Sequence, residues 1–184
     1  KNQLNPHFLF NTLNNIYALI PISQEKAQKS VHELSQLLRY TLYDNENREV
    51  PLEKELRFVK NYISLMQLRM NSYTTLNTLI NENEGKGKFI APLLFITLIE
   101  NAFKHGISGN KPSFIDIFIT VQDNSVNCTV RNSSFPKTDS DKSGSGIGIT
   151  NLKRQLNILY PKRHSFTITK INNQYISELT IYLS

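Results

Sequence analysis

His7 lies on a stretch of sequence with the period of an amphipathic helix. On such a helix, positions 7, 11, 14 and 18 share one face, which here carries His7, Asn11, Asn14 and Ala18. The apolar stripe lies largely opposite this face and is formed by Leu9, Leu13, Ile16 and Ile20. We therefore expect His7 to be exposed on a polar stripe, with Asn11 one turn further along.

The start of this helix favours a nucleophilic imidazole at His7. Pro6 either begins the helix with Asn5 as its cap or kinks it, and in both cases backbone N–H groups are freed beside His7. The positive helix end disfavours imidazolium and stabilises a phosphoryl group once attached. An ordinary solvated histidine stays an alternative. A metal site is disfavoured because positions 10 and 11 hold no His, Cys or carboxylate.

A second group of polar residues interrupts an apolar helix that is predicted from Pro92 to about His105. Asn101, Lys104 and His105 are spaced i, i+3 and i+4, so their side chains can converge. An amide oxygen can ligate Mg²⁺, and Lys and His side chains can contact phosphate oxygens. Alternatively, the two basic residues only complement the negative C-terminal end of a helix that Gly106 terminates.

Gly144, Gly146 and Gly148 stand at alternate positions directly before a predicted helix that carries Asn151. Glycines allow the backbone to approach phosphates, and a helix N-terminus favours negative charge. Alone the pattern is weak, because it does not directly follow a strand and lacks the Gly-Lys-Ser/Thr of a Walker loop. It makes these four residues candidates for a phosphate site.

Hydrophobic periodicity predicts three amphipathic helices ahead of a mixed region. The first helix is closed by Pro21, the second fades after Leu42, and the third begins at Pro51. Beyond Asn71 the period changes to alternation, with predicted strands at 76–80, 114–121, 126–130, 166–171 and 175–182. A further helix is predicted at about 148–159, after a long polar loop that ends at Gly146.

Composition excludes several classes of protein. Hydrophobic residues make up 39% of the 184 residues and charged residues 20%, which is typical of a globular chain and not of a disordered one. Cys128 is the single cysteine, so an internal disulfide is impossible, and we expect it in a strand core. The net charge of +6 is scattered along the chain and is weak evidence for a nucleic-acid partner. The longest apolar stretch, 91–99, is too short to span a bilayer.

Taken together, the two downstream groups resemble the N box and the glycine box of the GHKL ATP-binding fold. With the His7 segment upstream, the sequence resembles the LytS-type histidine kinase family along essentially its whole length. The matching segments are 5–11, 37–40, 53–69, 92–106 and 144–156.

The resemblance implies an α+β chain of two parts. Residues 1–72 would supply the helices for dimerisation and histidine phosphotransfer, and residues 73–184 a GHKL α/β sandwich with a mixed, mostly antiparallel sheet. ATP and Mg²⁺ would be the cofactors, with Asn101 as the metal ligand and a lid over about residues 133–145. The implied nucleotide contacts are Asn101, Lys104, His105, Asn132, Gly144, Gly146, Gly148 and Asn151.

The same resemblance implies a reaction and its partners. ATP would phosphorylate His7, beside Asn11, and the phosphoryl group would pass to an Asp of a response regulator with a LytTR DNA-binding domain. The kinase would be a homodimer without direct nucleic-acid contact. The chain opens within a helical segment and without Met, so we expect it to be a piece of a longer protein. By the resemblance, it would be the cytoplasmic part of a bacterial membrane protein, attached through an upstream region.

Three residues depart from the family pattern. Asn132 stands where an Asp usually reads the adenine amino group, Gln155 where many members carry Arg, and Phe8 where other histidine kinase classes place an acid. The base for His7 is therefore unassigned, with Glu100 as the candidate. Thr97 replaces the catalytic Glu of related hydrolytic ATPases and favours a kinase.

Two other functions remain open at this point. Asn132 and Gln155 are compatible with a degenerate kinase that binds nucleotide weakly and acts as a regulatory or scaffold module. A nucleic-acid-binding protein is the other alternative, although nothing resembles a helix-turn-helix or an aromatic-basic reader.

Overall fold

A computed structural model describes residues 6–43, 47–135 and 146–183. Its α-helices are α1 Pro6–Leu19, α2 Gln24–Leu42, α3 Leu52–Gln67, α4 Ile96–His105 and α5 Ile147–Leu159. A short 3-10 helix occupies Glu82–Gly85. In the described ranges, no helix is both long and apolar enough to cross a membrane.

The described strands are β1 Val50–Pro51, β2 Thr74–Ile80, β3 Phe89–Ile90, β4 Ser113–Gln122, β5 Ser125–Ser133, β6 His164–Ile171 and β7 Gln174–Tyr182. Five of them form one sheet in the order β2-β4-β5-β7-β6, and β1 pairs with β3. β2 runs parallel to β4, while the other neighbouring pairs of this sheet are antiparallel. The predicted α+β class, with a mixed and mostly antiparallel sheet, is confirmed.

Two tight turns set the register of the antiparallel strands. The predicted turn at Asp123 and Asn124 joins β4 to β5 and places Ile117 opposite Val130. Between β6 and β7, Asn172 and Asn173 adopt φ values of 50° and 57°. Asn tolerates this left-handed conformation better than most residues, so the pair closes a two-residue hairpin.

The inner face of the sheet forms the floor of the hydrophobic core. Its fully buried residues are Ile115, Ile117, Val126, Cys128, Val130, Leu179 and Ile181. Burial raises the pKa of the Cys128 thiol, which keeps it protonated and unreactive. The prediction that Cys128 is a small core residue in a strand is confirmed.

The apolar stripe predicted for α1 is wrong in part. The buried residues of this helix are Phe8, Thr12 and Ile16, whereas Leu13 is 51% and Ile20 is 52% exposed. Phe8 anchors the helix through a ring contact with α3, and this contact selects which face of α1 turns inward. His7 is exposed, as the sequence predicts.

Two helix starts also differ from the sequence prediction. The fourth helix begins at Ile96 and not at Pro92, because Leu93 has a φ of 62° that a right-handed helix cannot contain. Pro51 is not in the first turn of α3 but lies in β1, so the helix begins at Leu52.

Helix α3 connects the helical region to the sheet region. On one side it is bonded to α2, where Ser64 donates to Glu33 at 2.8 Å and Asn61 donates to Gln36 at 2.9 Å. At its start, the N–H of Leu52 donates to the carbonyl of Lys88 beside β3. The buried residues of α3 belong to the same hydrophobic cluster as those of α4 and the sheet. The proposed boundary after residue 72 stays a prediction.

Candidate functional site

A cavity of about 830 Å³ opens among the start of α1, helix α3, helix α4 and the start of α5. Six of the predicted site residues line it, and they come from three separate helices. They are His7, Glu100, Asn101, Lys104, Gly148 and Asn151. Residues up to 144 positions apart, His7 and Asn151 (151 − 7), therefore meet in one space.

His7 is exposed at this cavity and is held by its neighbour one turn along the helix. The amide nitrogen of Asn11 lies 3.0 Å from Nδ1 and 3.2 Å from Nε2 of His7. An amide N–H donates to a ring nitrogen only if that nitrogen carries a lone pair, so in a neutral imidazole one of the two ring nitrogens can accept from Asn11. Neutral imidazole is the form that can act as a nucleophile.

Phe8 has a structural role that explains the missing acid next to His7. Its side chain is 6% exposed and stacks on Tyr62 of α3 with ring centroids 4.9 Å apart. Stacking contacts of this kind add about 0.5–1.5 kcal/mol to the burial of the rings. Phe8 therefore fixes the start of α1 on α3, and a carboxylate at this position would be buried in the core.

Helix α4 presents one polar edge to the cavity and an apolar edge to the core. Its buried side chains are Ile96, Leu98, Ile99, Ala102 and Phe103. The cavity edge carries half-buried Thr97 and Asn101 and exposed Glu100 and Lys104. Neighbouring protein atoms still raise the pKa of the Glu100 carboxyl, although more than a third of this residue is open to solvent.

Gly148 allows α5 to begin close to α4. A Cβ at Gly148 would lie 3.3 Å from Cγ2 of Thr97, which is tighter than ordinary van der Waals contact. The first turn of α5 is thereby held next to the polar edge of α4, and this helix N-terminus lies at the cavity. Asn151 lies one turn further on and is exposed at the same cavity.

Several residues that were predicted to contact the nucleotide are not among the described residues that line the cavity. His105 is half-buried at the end of α4, and Gly146 directly precedes α5. Asn132 is 2% exposed, and its amide nitrogen donates to the carbonyl of Ser133 at 2.8 Å. Gly144 and most of the predicted lid lie outside the described residues. The roles of these residues stay predictions.

Gly106 lies directly against Asn132. A Cβ at position 106 would lie 2.7 Å from Cβ of Asn132 and 2.6 Å from the carbonyl oxygen of Ala102. Only glycine fits this close approach, so the end of α4 packs tightly on β5 and covers the Asn132 side chain.

Arg69 and Tyr62 are among the cavity residues that were not predicted as site residues. Arg69, just beyond α3, is exposed at the cavity and brings a second permanent cation beside Lys104. Tyr62 lies at the same place, where burial and the Glu100 charge raise the pKa of its hydroxyl while Arg69 lowers it. Gln155, noted in the sequence as a departure, also lines the cavity. Each is separated from α4 by tens of residues, so local spacing gives no signal for their convergence.

The donor set fits a phosphate-bound Mg²⁺ better than a metal held by protein alone. In residues 6–43, 47–135 and 146–183, no group of three or more His, Cys, Asp or Glu side chains could hold a metal ion. Mg²⁺ commonly takes few protein oxygens and completes its shell with phosphate oxygens and water. The Asn101 amide at the cavity, with Lys104 nearby, suits that arrangement.

The fold matches that of a solved histidine kinase domain. The histidine kinase domain of the Erythrobacter litoralis EL346 blue-light activated histidine kinase aligns with a TM-score of 0.51, over 96% of this chain and 95% of that chain. The sequence identity is only 13%, so this likeness shows the fold alone. Residues 1–81 match the sequence profile of the Histidine kinase family.

Sensor proteins named LytS are more similar to this chain in sequence. Sensor protein LytS of Staphylococcus haemolyticus is 34% identical over 171 residues, which cover 86% of this chain and 29% of that protein. Sensor histidine kinase/phosphatase LytS of Staphylococcus aureus is 32% identical over 173 residues, which cover 87% of this chain and 30% of that protein. The chain belongs to the LytS-type histidine kinase family, and it spans less than a third of the length of these relatives.

Proposed function

We propose that the chain is the catalytic core of a two-component sensor histidine kinase that uses ATP and Mg²⁺ to phosphorylate His7. One observation carries the proposal. His7, from the phosphoacceptor helix, lines the same cavity as Asn101, Lys104 and Gly148, which have the chemistry of a nucleotide phosphate site. Phosphoryl transfer needs mainly positioning and charge neutralisation, and this arrangement supplies both.

Each side of the cavity has a separate task in this proposal. Lys104 and Arg69 offset the negative charge of the phosphates, and the N-terminal turn of α5 at Gly148 donates backbone N–H groups. The Asn101 amide oxygen would hold Mg²⁺, which when bound neutralises charge on the phosphate oxygens. His105, Asn132, Gly144 and Gly146 remain proposed nucleotide contacts from the family resemblance.

The transfer step uses the neutral His7 that Asn11 holds. One ring nitrogen forms a bond to the γ-phosphorus of ATP as the bond to the bridging oxygen breaks, and the electron pair leaves with ADP. The other ring nitrogen then loses its proton. Glu100, in the same cavity, is the proposed acceptor, and its raised pKa makes it a better base near neutral pH than an ordinary carboxylate.

The phosphoryl group would next pass from His7 to an Asp of a response regulator of the LytTR type. The exposure of His7 supports this step, because the partner must reach the same nitrogen. We assign residues 1–72 to dimerisation and phosphotransfer and residues 73–184 to nucleotide binding.

A homodimer is proposed because α1, α2 and their flanking turns leave large apolar side chains in solvent. These are Phe10, Leu13, Tyr17, Ile20, Ile22, Val31, Leu42 and Tyr43, each more than half exposed. Apolar surface of this extent is typical of a protein–protein interface. By family resemblance, we further propose that the dimer is the cytoplasmic part of a membrane-attached sensor.

Incubation with radiolabelled ATP and Mg²⁺ tests the proposal, with His7→Gln and His32→Gln compared. His32 is a matched control, because it is exposed on α2 and bonded to Gln36 at i+4, as His7 is to Asn11. We expect label on the unchanged chain and on His32→Gln, and none on His7→Gln. Label that persists in His7→Gln would contradict the assignment.

A degenerate kinase that only binds nucleotide is the second candidate. The buried amide of Asn132, already bonded to Ser133, favours it, because this side chain is not presented to the cavity. Nucleotide binding by the unchanged chain, measured by fluorescence titration, without phosphorylation of His7 would support this candidate over the kinase.

A further inference from the structure

Glu55 is a carboxylate buried completely within the core, away from the cavity lining. It lies on α3 and is 0% exposed. The Tyr40 hydroxyl of α2 donates a hydrogen bond to Oε2 of Glu55. The backbone N–H of Leu93 donates to Oε1 at 3.0 Å. One carboxyl group thus joins α2, α3 and the segment that leads into α4.

The segment from Ala91 to Phe95 determines where α4 begins. Leu93 has a φ of 62°, a left-handed conformation that is unfavourable for residues with a Cβ atom. Its N–H bond to Glu55 holds this backbone in place, and the N–H of Ala91 donates to the Tyr160 hydroxyl at 2.7 Å. Ile96 then starts the helix that presents Asn101 to the cavity.

Tyr40 connects the same carboxyl group to α2, which packs on α1, the helix that carries His7. Its ring is 5% exposed and stacks on Phe58 of α3 with centroids 4.7 Å apart. The next residue, Thr41, and Phe58 both line the cavity. Helix α2 in turn packs on α1, so a displacement of α2 relative to α4 would change the distance between His7 and the phosphate site.

A buried carboxylate is costly and is seldom retained for stability alone. Replacing buried ionic groups by apolar residues of similar volume is often neutral or stabilising. Here burial raises the pKa of Glu55 to about 7, although hydrogen bonds from Tyr40 and from the Leu93 and Leu94 backbone act in the opposite direction. An apolar side chain at position 55 could not replace the two carboxyl oxygens, which accept hydrogen bonds from Tyr40 and from the Leu93 N–H.

We propose that Glu55 is a positioning residue that fixes α4 and its phosphate-site side chains relative to α2 and to α1, the helix that carries His7. It acts through the hydrogen bonds to Tyr40 and Leu93, and it touches neither nucleotide nor His7. The inference rests on the proposed function, since it concerns the rate of the transfer to His7.

Tyr40→Phe is the most informative test, because it removes one hydroxyl and retains the ring that stacks on Phe58. Tyr43→Phe is its matched control, as Tyr43 is 71% exposed next to the same helix. We expect Tyr40→Phe to lower the rate of His7 phosphorylation at saturating ATP by about tenfold or more, because small misplacements in phosphoryl transfer are costly. Nucleotide affinity should stay within about twofold of the unchanged chain, since the cavity residues of α4 and α5 are retained.

Two changes at Glu55 separate geometry from charge. Glu55→Gln keeps an oxygen that accepts from Leu93 and an amide that donates to the Tyr40 oxygen, so activity should stay within about threefold. Glu55→Met has a similar volume but no acceptor, and we expect it to lower the rate as Tyr40→Phe does. Glu53→Gln, on a half-buried residue of the same helix, is the control for helix charge.

The outcomes distinguish this inference from the proposed function. If the unchanged chain never labels His7, the kinase proposal itself fails. If it labels His7 and Tyr40→Phe is equally fast, the positioning role is wrong. It is also wrong if nucleotide affinity falls in parallel with the rate, or if Tyr43→Phe slows the reaction as much. All rates are compared at a temperature at which circular dichroism shows each variant to be folded.

Discussion

The two regions of the molecule satisfy their buried polar groups differently. In the sheet region, Ser133 accepts from the Phe114 N–H at 2.7 Å, Asp116 is paired with Arg131, and Asn132 is bonded to Ser133. In α1, the Thr12 hydroxyl and the Asn15 amide nitrogen are buried without a hydrogen-bond partner in the described part of the chain. An unpaired buried polar group costs about 1–3 kcal/mol. These polar groups of the sheet region are therefore paired by hydrogen bonds, whereas α1 leaves two buried polar atoms unpaired within the described residues.

The exposed surfaces show the same contrast. Tyr17 is 78% and Ile22 is 79% exposed in the helical region, while the inner face of the sheet is fully covered. The side of the cavity that we propose for nucleotide binding is thus built into a buried core, and the side that carries His7 is attached to it through Phe8 and the Tyr40–Glu55 contact. Under the proposed function, this division would help His7 to meet first ATP and then a second protein.

The largest effect is expected on the nucleotide side. Asn101→Ala should lower His7 phosphorylation by about a hundredfold, because it removes an oxygen that stabilises the phosphate-bound metal. Rates measured at several Mg²⁺ concentrations check this, since the variant should need more Mg²⁺. Asn157→Ala, exposed on α5, is the control. Equal rates in the two variants would remove Asn101 from the site.

Truncating a side chain should lower the free energy of unfolding more in the sheet than on α1. Ile117→Ala, at a position with 0% exposure in the sheet, should lower the free energy of unfolding by about 3 kcal/mol. Leu13→Ala, 51% exposed on α1, should change it by less than about 0.5 kcal/mol in the monomer. Denaturant titrations at low protein concentration measure both. Similar losses would show that α1 is packed as completely as the sheet.

Stability should also depend on pH through Glu55. Its pKa is raised from 4.5 to about 7 by burial, so between these values the folded chain keeps a proton that the unfolded chain has released. Stability should consequently fall as pH rises from about 4.5 to about 7, by up to about 3 kcal/mol. Glu55→Gln should flatten this slope relative to Glu53→Gln. Identical pH profiles of unfolding would exclude the raised pKa.

The smallest effect is expected at the attachment of α1. Phe8→Leu keeps an apolar side chain but loses the ring contact with Tyr62, so it should cost about 1 kcal/mol of stability. His7 phosphorylation should slow by about threefold to tenfold without a change in nucleotide affinity. Phe10→Leu is the control, because Phe10 is 68% exposed two residues further on. A loss of nucleotide affinity in Phe8→Leu would show that Phe8 shapes the nucleotide site itself.

The sequence correctly predicted the features that depend on residues close together in the chain. The alternation along β4 to β7 and the turn residues at positions 123–124 fix strands and hairpins from neighbours in sequence, and these predictions are confirmed. The buried face of α1 was predicted wrongly in part. Which face is buried depends on the packing of Phe8 against Tyr62, two residues that are 54 positions apart in sequence (62 − 8). The parallel pairing of β2 with β4 also depends on a distant contact.

The candidate site shows the same limit. His7, Asn101, Lys104 and Gly148 were predicted from their types and the family resemblance, and the structure places them at one cavity. Arg69 lies just beyond α3, far from α4 in sequence, so only the assembled fold brings it to the cavity. The left-handed Leu93, and the buried Glu55 that holds it, have no local sequence signal either.

The central claim is that His7 accepts the phosphoryl group. Mass spectrometry of the chain after incubation with ATP and Mg²⁺, with peptides kept at alkaline pH because phosphohistidine is labile in acid, locates the modification directly. We predict a single phosphohistidine at His7 that appears with the rate of ADP formation. Phosphate on His32, His105 or His164 with His7 unmodified would contradict the account.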